Sequence, residues 1–189
     1  MGKDLLLVID MQNAYGKGGQ WYCPNVETAE KKIKGLLQDA EVLALDVILT
    51  QFFAPKDPVG TWKKYNEENA QVNEDVYANA LMEAFLEAGE IYPLYAKSTY
   101  SAMTVPEIVK AVKKADRVLV SGVVAECCVL ATAMAAIDAG AEVIYLTDGV
   151  AGIGEETEKA VETVLAGLEP LHVRRMTVDE YRKERGERL

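Results

Sequence analysis

The chain has 189 residues, half of them hydrophobic and 26% charged, with a net charge of −10. That length can bury a sizeable core and matches about one domain, so a single domain over residues 1–189 is expected. The negative field disfavours phosphate backbones and anionic membranes, so neither nucleic acid nor a membrane is an expected partner; a small-molecule substrate of either sign stays open, because one local lysine can dominate a pocket.

"DLLLVID" (4–10) is an apolar run without alternation, as a strand buried on both faces requires. Its five apolar residues before Asp10 are too few for a signal-peptide core. "MQNAYGKGGQWYCPN" reads as a Gly-rich loop, and 26–45 has helical spacing with Asn25 as N-cap. A second strand is predicted over 46–53. The following 54–75 is polar, holds two prolines and reads as a long loop, of the kind that often serves as a lid. A helix over 77–88 precedes a third strand within "EIYPLYAKSTYS". Residues 105–115 are helical, with Pro106 in the first turn.

"DRVLVSG" (116–122) is a fourth strand, and 126–139 a helix ended by Gly140. Glu126 and Gly122 interrupt the window 118–137, which reads as strand then helix rather than a membrane span. "AEVIYLTDG" is a fifth strand, 155–168 a helix and 171–176 a short strand. The last helix covers 177–185, with a Thr177/Glu180 capping box and Gly186 as its stop. Strands alternate with helices throughout, so the fold class is α/β: a three-layer α/β/α sandwich on a mainly parallel, about six-stranded sheet.

In such sheets ligands bind outside the carboxyl ends of the strands. Asp10 ends the first strand, Lys97 the third, and the Cys127–Cys128 pair follows the fourth. An acid, an ammonium and a thiol at one sheet edge make a coherent set. The thiolate is the nucleophile, and a helix N-terminus and a lysine both favour it. A carboxylate beside the sulfur can take its proton and return it to a leaving amine. Backbone N–H groups in the 122–128 turn can bind an oxyanion, each worth about 3–4 kcal/mol. The one histidine, His172, reads as structural, and no zinc site can be built from several histidines. Asp10 could equally cap a turn, Lys97 could be a surface charge and Cys128 core packing; the residues alone leave both readings open. Three cysteines, two of them adjacent, do not make a disulfide framework, so a reducing cytoplasm is the expected setting.

At these residues the chain resembles the isochorismatase-like cysteine hydrolases. That superfamily includes nicotinamidases, N-carbamoylsarcosine amidase, ureidoacrylate and maleamate amidohydrolases, and isochorismatase. "VIDMQN" is similar to its opening strand with the acid at Asp10. "KSTYSAM" places its lysine at Lys97, and "GVVAECCVLATAMAAIDAG" resembles its nucleophile segment and the Ala-rich helix that follows. Six residues after Gly122 the register falls on Cys128, which implies that Cys127 is a packing residue. The resemblance further implies a cis peptide at Val123–Val124 and an oxyanion hole from the N–H groups of Val124 and Cys128. Two departures stand out. Ala125 replaces a usual threonine, and "TQFFAP" puts Phe52, Phe53 and Ala54 where nicotinamidases carry a metal-binding Asp-x-His. No metal and no cofactor are therefore expected.

The implied activity is metal-independent hydrolysis of a small, non-peptide C–N bond through a thioester on Cys128. Asp10 is then the base and Lys97 the group that stabilises the thiolate and holds Asp10. Tyr15, Trp21, Phe52, Phe53, Trp62 and Tyr100 are the candidate pocket lining. Isochorismatase-type enol-ether hydrolysis and a non-catalytic metabolite-binding or thiol-redox role are the alternatives. The resemblance also implies a homo-oligomer, a dimer or tetramer.

Overall fold

The computed structural model describes residues 2–188. Six strands form one all-parallel sheet: β1 (Asp4–Ile9), β2 (Leu45–Phe52), β3 (Leu94–Lys97), β4 (Val118–Val123), β5 (Val143–Ala151) and β6 (Val173–Met176), in the order β3-β2-β1-β4-β5-β6. Apolar runs such as Leu5–Ile9 are buried on both faces, which is what an inner parallel strand demands. Alternate residues feed separate cores. Leu6 and Val8 pack on one face beneath α1 (Val26–Gln38), with Tyr181 of the C-terminal helix Val178–Arg188. Leu5, Leu7 and Ile9 pack on the other face. There they meet the helices Pro106–Val112, Leu130–Asp138 and Glu155–Ala166. Helices on both faces make the expected three layers.

The chain runs outward from β1 through β2 to β3, then returns to place β4 against the opposite side of β1. Connections therefore diverge between β1 and β4, and the crevice at their carboxyl ends is the natural binding position in an open α/β sheet. Among the described residues no helix is long and apolar enough to cross a membrane.

Several elements differ from the sequence expectations. The helix expected over 26–45 stops at Gln38, because the segment before β2 turns, with Ala44 at φ 49°. Asn25 occupies the N-cap but spends its side-chain amide on Glu158 instead. The expected loop 54–75 contains two helices, Trp62–Glu68 and Ala70–Asn73. Their sequence is polar nearly all round and carries no strong apolar stripe. The helix expected over 77–88 breaks into Val76–Asn79, a 3₁₀ turn and Leu86–Ile91. Between the pieces, Ala80 and Met82 hydrogen-bond the loop after β1, which withdraws that backbone from helix formation. The helix expected over 126–139 opens as a π turn (Ala125–Val129) before Leu130–Asp138, and Gly140 follows at φ 93°. The capping box forms as expected, with Thr177 and Glu180 bonding reciprocally, but the last helix continues through Gly186.

Candidate active site

Asp10 follows β1 directly and is fully buried with φ 51°, a left-handed conformation that few non-glycine residues adopt. Thr50 of β2 locks it there: the Thr50 hydroxyl donates to Asp10 Oδ1 at 2.7 Å and accepts from the Asp10 N–H at 3.2 Å. Gln12, two residues on, clamps the loop. Its amide donates to the carbonyls of Phe52 and Asn79, and its oxygen accepts from the Phe52 N–H.

Lys97 is the last residue of β3, in register with Phe52. Its Nζ lies 2.6 Å from Asp10 Oδ2, 3.3 Å from Cys128 Sγ and 3.1 Å from the Thr99 carbonyl. Both side chains of this ion pair are wholly out of solvent. All three ammonium hydrogens thus have partners.

Cys128 reaches this pair from β4. Gly122 sits at φ 102° and packs against β1 so tightly that a Cβ would lie 2.1 Å from the Ile9 carbonyl oxygen. The Val123–Val124 peptide is cis. The π turn that follows carries Cys128, π turns being frequent at functional sites. Thr132 links two parts of the site, donating to the Cys128 carbonyl at 2.7 Å and accepting from the Ala102 N–H at 2.9 Å.

Burial pushes the Cys128 thiol well above its ordinary range, and the Asp10 carboxylate pushes it further, while Lys97 pulls it down. The resting form of Cys128 favoured by this balance is the thiol. That corrects the expectation that Lys97 and a helix start hold Cys128 as a thiolate. Burial, with the carboxylate adding to it, outweighs the lysine, and the chain enters the helix through a π turn.

A pocket of about 410 Å³ opens above Cys128. Tyr15, Trp21, Phe52 and Tyr100 line it as expected from sequence. Trp62 stands behind the wall, its ring 5.0 Å from Tyr65, 5.1 Å from Tyr100 and 6.2 Å from Phe52. Phe53 is a correction: strand alternation turns it away from Phe52, and it lines a separate groove with Val76 and Asn79. Tyr65, Asn69, Gln20, Tyr22, Glu126 and Ile153 also line the pocket and went unnoticed. Tyr65 and Asn69 stand one helical turn apart, a spacing visible only once 62–68 is read as a helix. Cys127 packs partly against the core and also lines the pocket.

Phe52, Phe53 and Ala54 supply no metal donor. Among the described residues no group of three or more His, Cys, Asp or Glu side chains is gathered to hold a metal ion. His172 is exposed in the turn before β6, at the opposite end of the sheet. The donor set does not fit a bound metal.

The isochorismatase domain model matches residues 4–174. Among solved structures, a cysteine hydrolase from Pseudomonas syringae pv. phaseolicola 1448A superposes with a TM-score of 0.82 at 20% identity, covering 98% of this chain and 93% of that one. N-carbamoylsarcosine amidase from Thermoplasma acidophilum gives 0.72 at 21% identity, over 94% and 97% of the two chains. Pyrazinamidase of Pyrococcus horikoshii, in complex with zinc, gives 0.71 at 21% identity, over 93% and 99%. At these identities the likeness shows the shared fold. No curated protein matches the chain.

Proposed function

Because this chain belongs to the isochorismatase domain family, we propose that it is a cysteine hydrolase cleaving a small, non-peptide amide or related C–N bond. The observation that carries this reading is the buried Asp10–Lys97 ion pair in contact with Cys128 Sγ beneath an aromatic pocket. In the proposed reaction Asp10 takes the Cys128 proton as sulfur attacks the carbonyl carbon. The carbonyl oxygen becomes an oxyanion, held by the N–H groups of Val124 and Cys128. The protonated Asp10 hands its proton to the leaving nitrogen, the C–N bond breaks, and an acyl thioester stays on Cys128. Asp10 then takes a proton from water, which displaces the thiolate and releases the acid; the thiolate recovers that proton. Lys97 remains an ammonium throughout and fixes Asp10 against Cys128.

Ammonia or amine release from a panel of small amides, carbamates and ureido acids tests this. Wild type should turn over at least one member, and Cys128→Ala should abolish that turnover. Full activity in Cys128→Ala would sink the mechanism, and isochorismate cleavage surviving the same change would favour enol-ether chemistry instead.

A further inference from the structure

The pocket wall carries a charge that the proposed reaction does not use. Glu126 stands two residues before Cys128 in the π turn and lines the same pocket. Its Oε1 accepts the Ile153 N–H at 3.2 Å, while its Oε2 is buried with no hydrogen-bond partner. That oxygen packs against Gly152, where a Cβ would come within 2.6 Å of it. Glu158 closes the same corner, but its oxygens are taken by the Gly152 N–H at 2.7 Å and Asn25 Nδ2 at 2.8 Å. Both partners are neutral, so among the described residues two carboxylates share this corner without a cation.

The lining residues include no lysine, arginine or histidine. Lys97 lies below the floor, its hydrogens held by Asp10, Cys128 and the Thr99 carbonyl. A carboxylate oxygen shut off from water without a donor or counter-charge is costly, and a cation at that carboxylate offsets the cost. Half of the remaining lining residues are aromatic, and aromatic ring faces also attract cations. A substrate bearing its own carboxylate would meet like charge and no partner.

We infer that Glu126 makes this pocket select a cationic substrate: a small amide with a flat apolar body and a protonated amine near the reacting carbonyl. The inference rests on the amide-hydrolase reading for its chemistry but not for its binding. Glu126 acts here as a specificity residue, touching the ligand's charged end rather than the reacting atoms.

Matched aromatic amides carrying a protonated amine, no charge or a carboxylate test it. Their dissociation constants are measured by calorimetry on Cys128→Ala and on the same variant with Glu126→Gln. Ammonia release by wild type, Glu126→Gln and Glu126→Asp is measured beside them. One charge contact at partial desolvation corresponds to at least about a tenfold preference for the cation over the anion. Glu126→Gln keeps an oxygen for the Ile153 N–H and should bring that ratio close to one. Glu126→Asp should retain much of the ratio. An anion bound as well as the cation, a ratio unmoved by Glu126→Gln, or no binding by either charged series overturns the inference. Ammonia release without cation preference overturns this selection alone. Cation preference without ammonia release from any series overturns the hydrolase reading alone.

Discussion

At the scale of single residues, Cys128 is governed by two opposed neighbours. Burial raises its thiol pKa most, Asp10 adds to the rise and Lys97 lowers it. A raised value leaves little thiolate at neutral pH, so alkylation of Cys128 by iodoacetamide should keep accelerating above pH 9. A plateau below pH 8.5 would show a resting thiolate and contradict the assignment of Asp10 as base. Asp10→Asn removes a raising influence and leaves the lowering one. Alkylation at pH 8 should therefore become several-fold faster in Asp10→Asn while amide turnover collapses. Asp10, Lys97 and Cys128 were each visible in the sequence as chemically capable residues at strand ends. The sign of the Cys128 shift was not, because it depends first on how deeply the thiol is buried and then on the carboxylate and ammonium beside it. Glu126 was invisible for a similar reason: nothing in "VVAECC" says that one of its oxygens will be sealed without a donor.

At the scale of elements, the sheet strands were the most legible parts, since apolar runs such as "LLLVI" and "VLV" have few other uses. The pocket elements were the least legible. Trp62–Glu68 buries none of its residues fully and is held by ring contacts of Trp62 and Tyr65, so no periodic stripe announces it. The break near Ala80–Met82 comes from backbone pairing with residues about seventy positions earlier, which local propensity cannot reveal. The junction of β1 and β4 is the element-scale feature on which the site depends. Gly122→Ala would force an alanine to φ 102° and drive its Cβ into the Ile9 carbonyl. Strain and overpacking together should cost about 2–4 kcal/mol, read as a lowered urea midpoint. An unchanged midpoint would mean that β4 can separate from β1 freely, and with it Cys128 from Asp10.

At the scale of the whole molecule, the sheet has a reactive end and an anchoring end. The anchoring end holds Asp4, fully buried, with Arg117 Nη2 at 2.6 Å, the Tyr181 hydroxyl at 2.8 Å and Arg185 Nη1 at 3.6 Å. Glu184 extends this network to Arg117 and Arg174, and those arginines, Arg174 foremost, hold its pKa down at about 2. A depressed carboxyl pKa contributes stability above the ordinary value near 4.5 and loses it as pH falls through 2. Wild type should therefore lose urea resistance between pH 4.5 and 2 more steeply than Glu184→Gln; parallel curves would show that the arginine contacts do not couple to folding. That network ties the last helix to β1 and β4 and leaves their other ends to form the site. In the proposed function, β1, β3 and β4 bring Asp10, Lys97 and Cys128 together for covalent hydrolysis. Mass spectrometry of the chain quenched during turnover of an amide panel tests it most directly. The account predicts an acyl adduct, lacking the amine, on the peptide containing Cys128 and absent from Cys128→Ala; amide turnover with Cys128 unmodified and dispensable would contradict it.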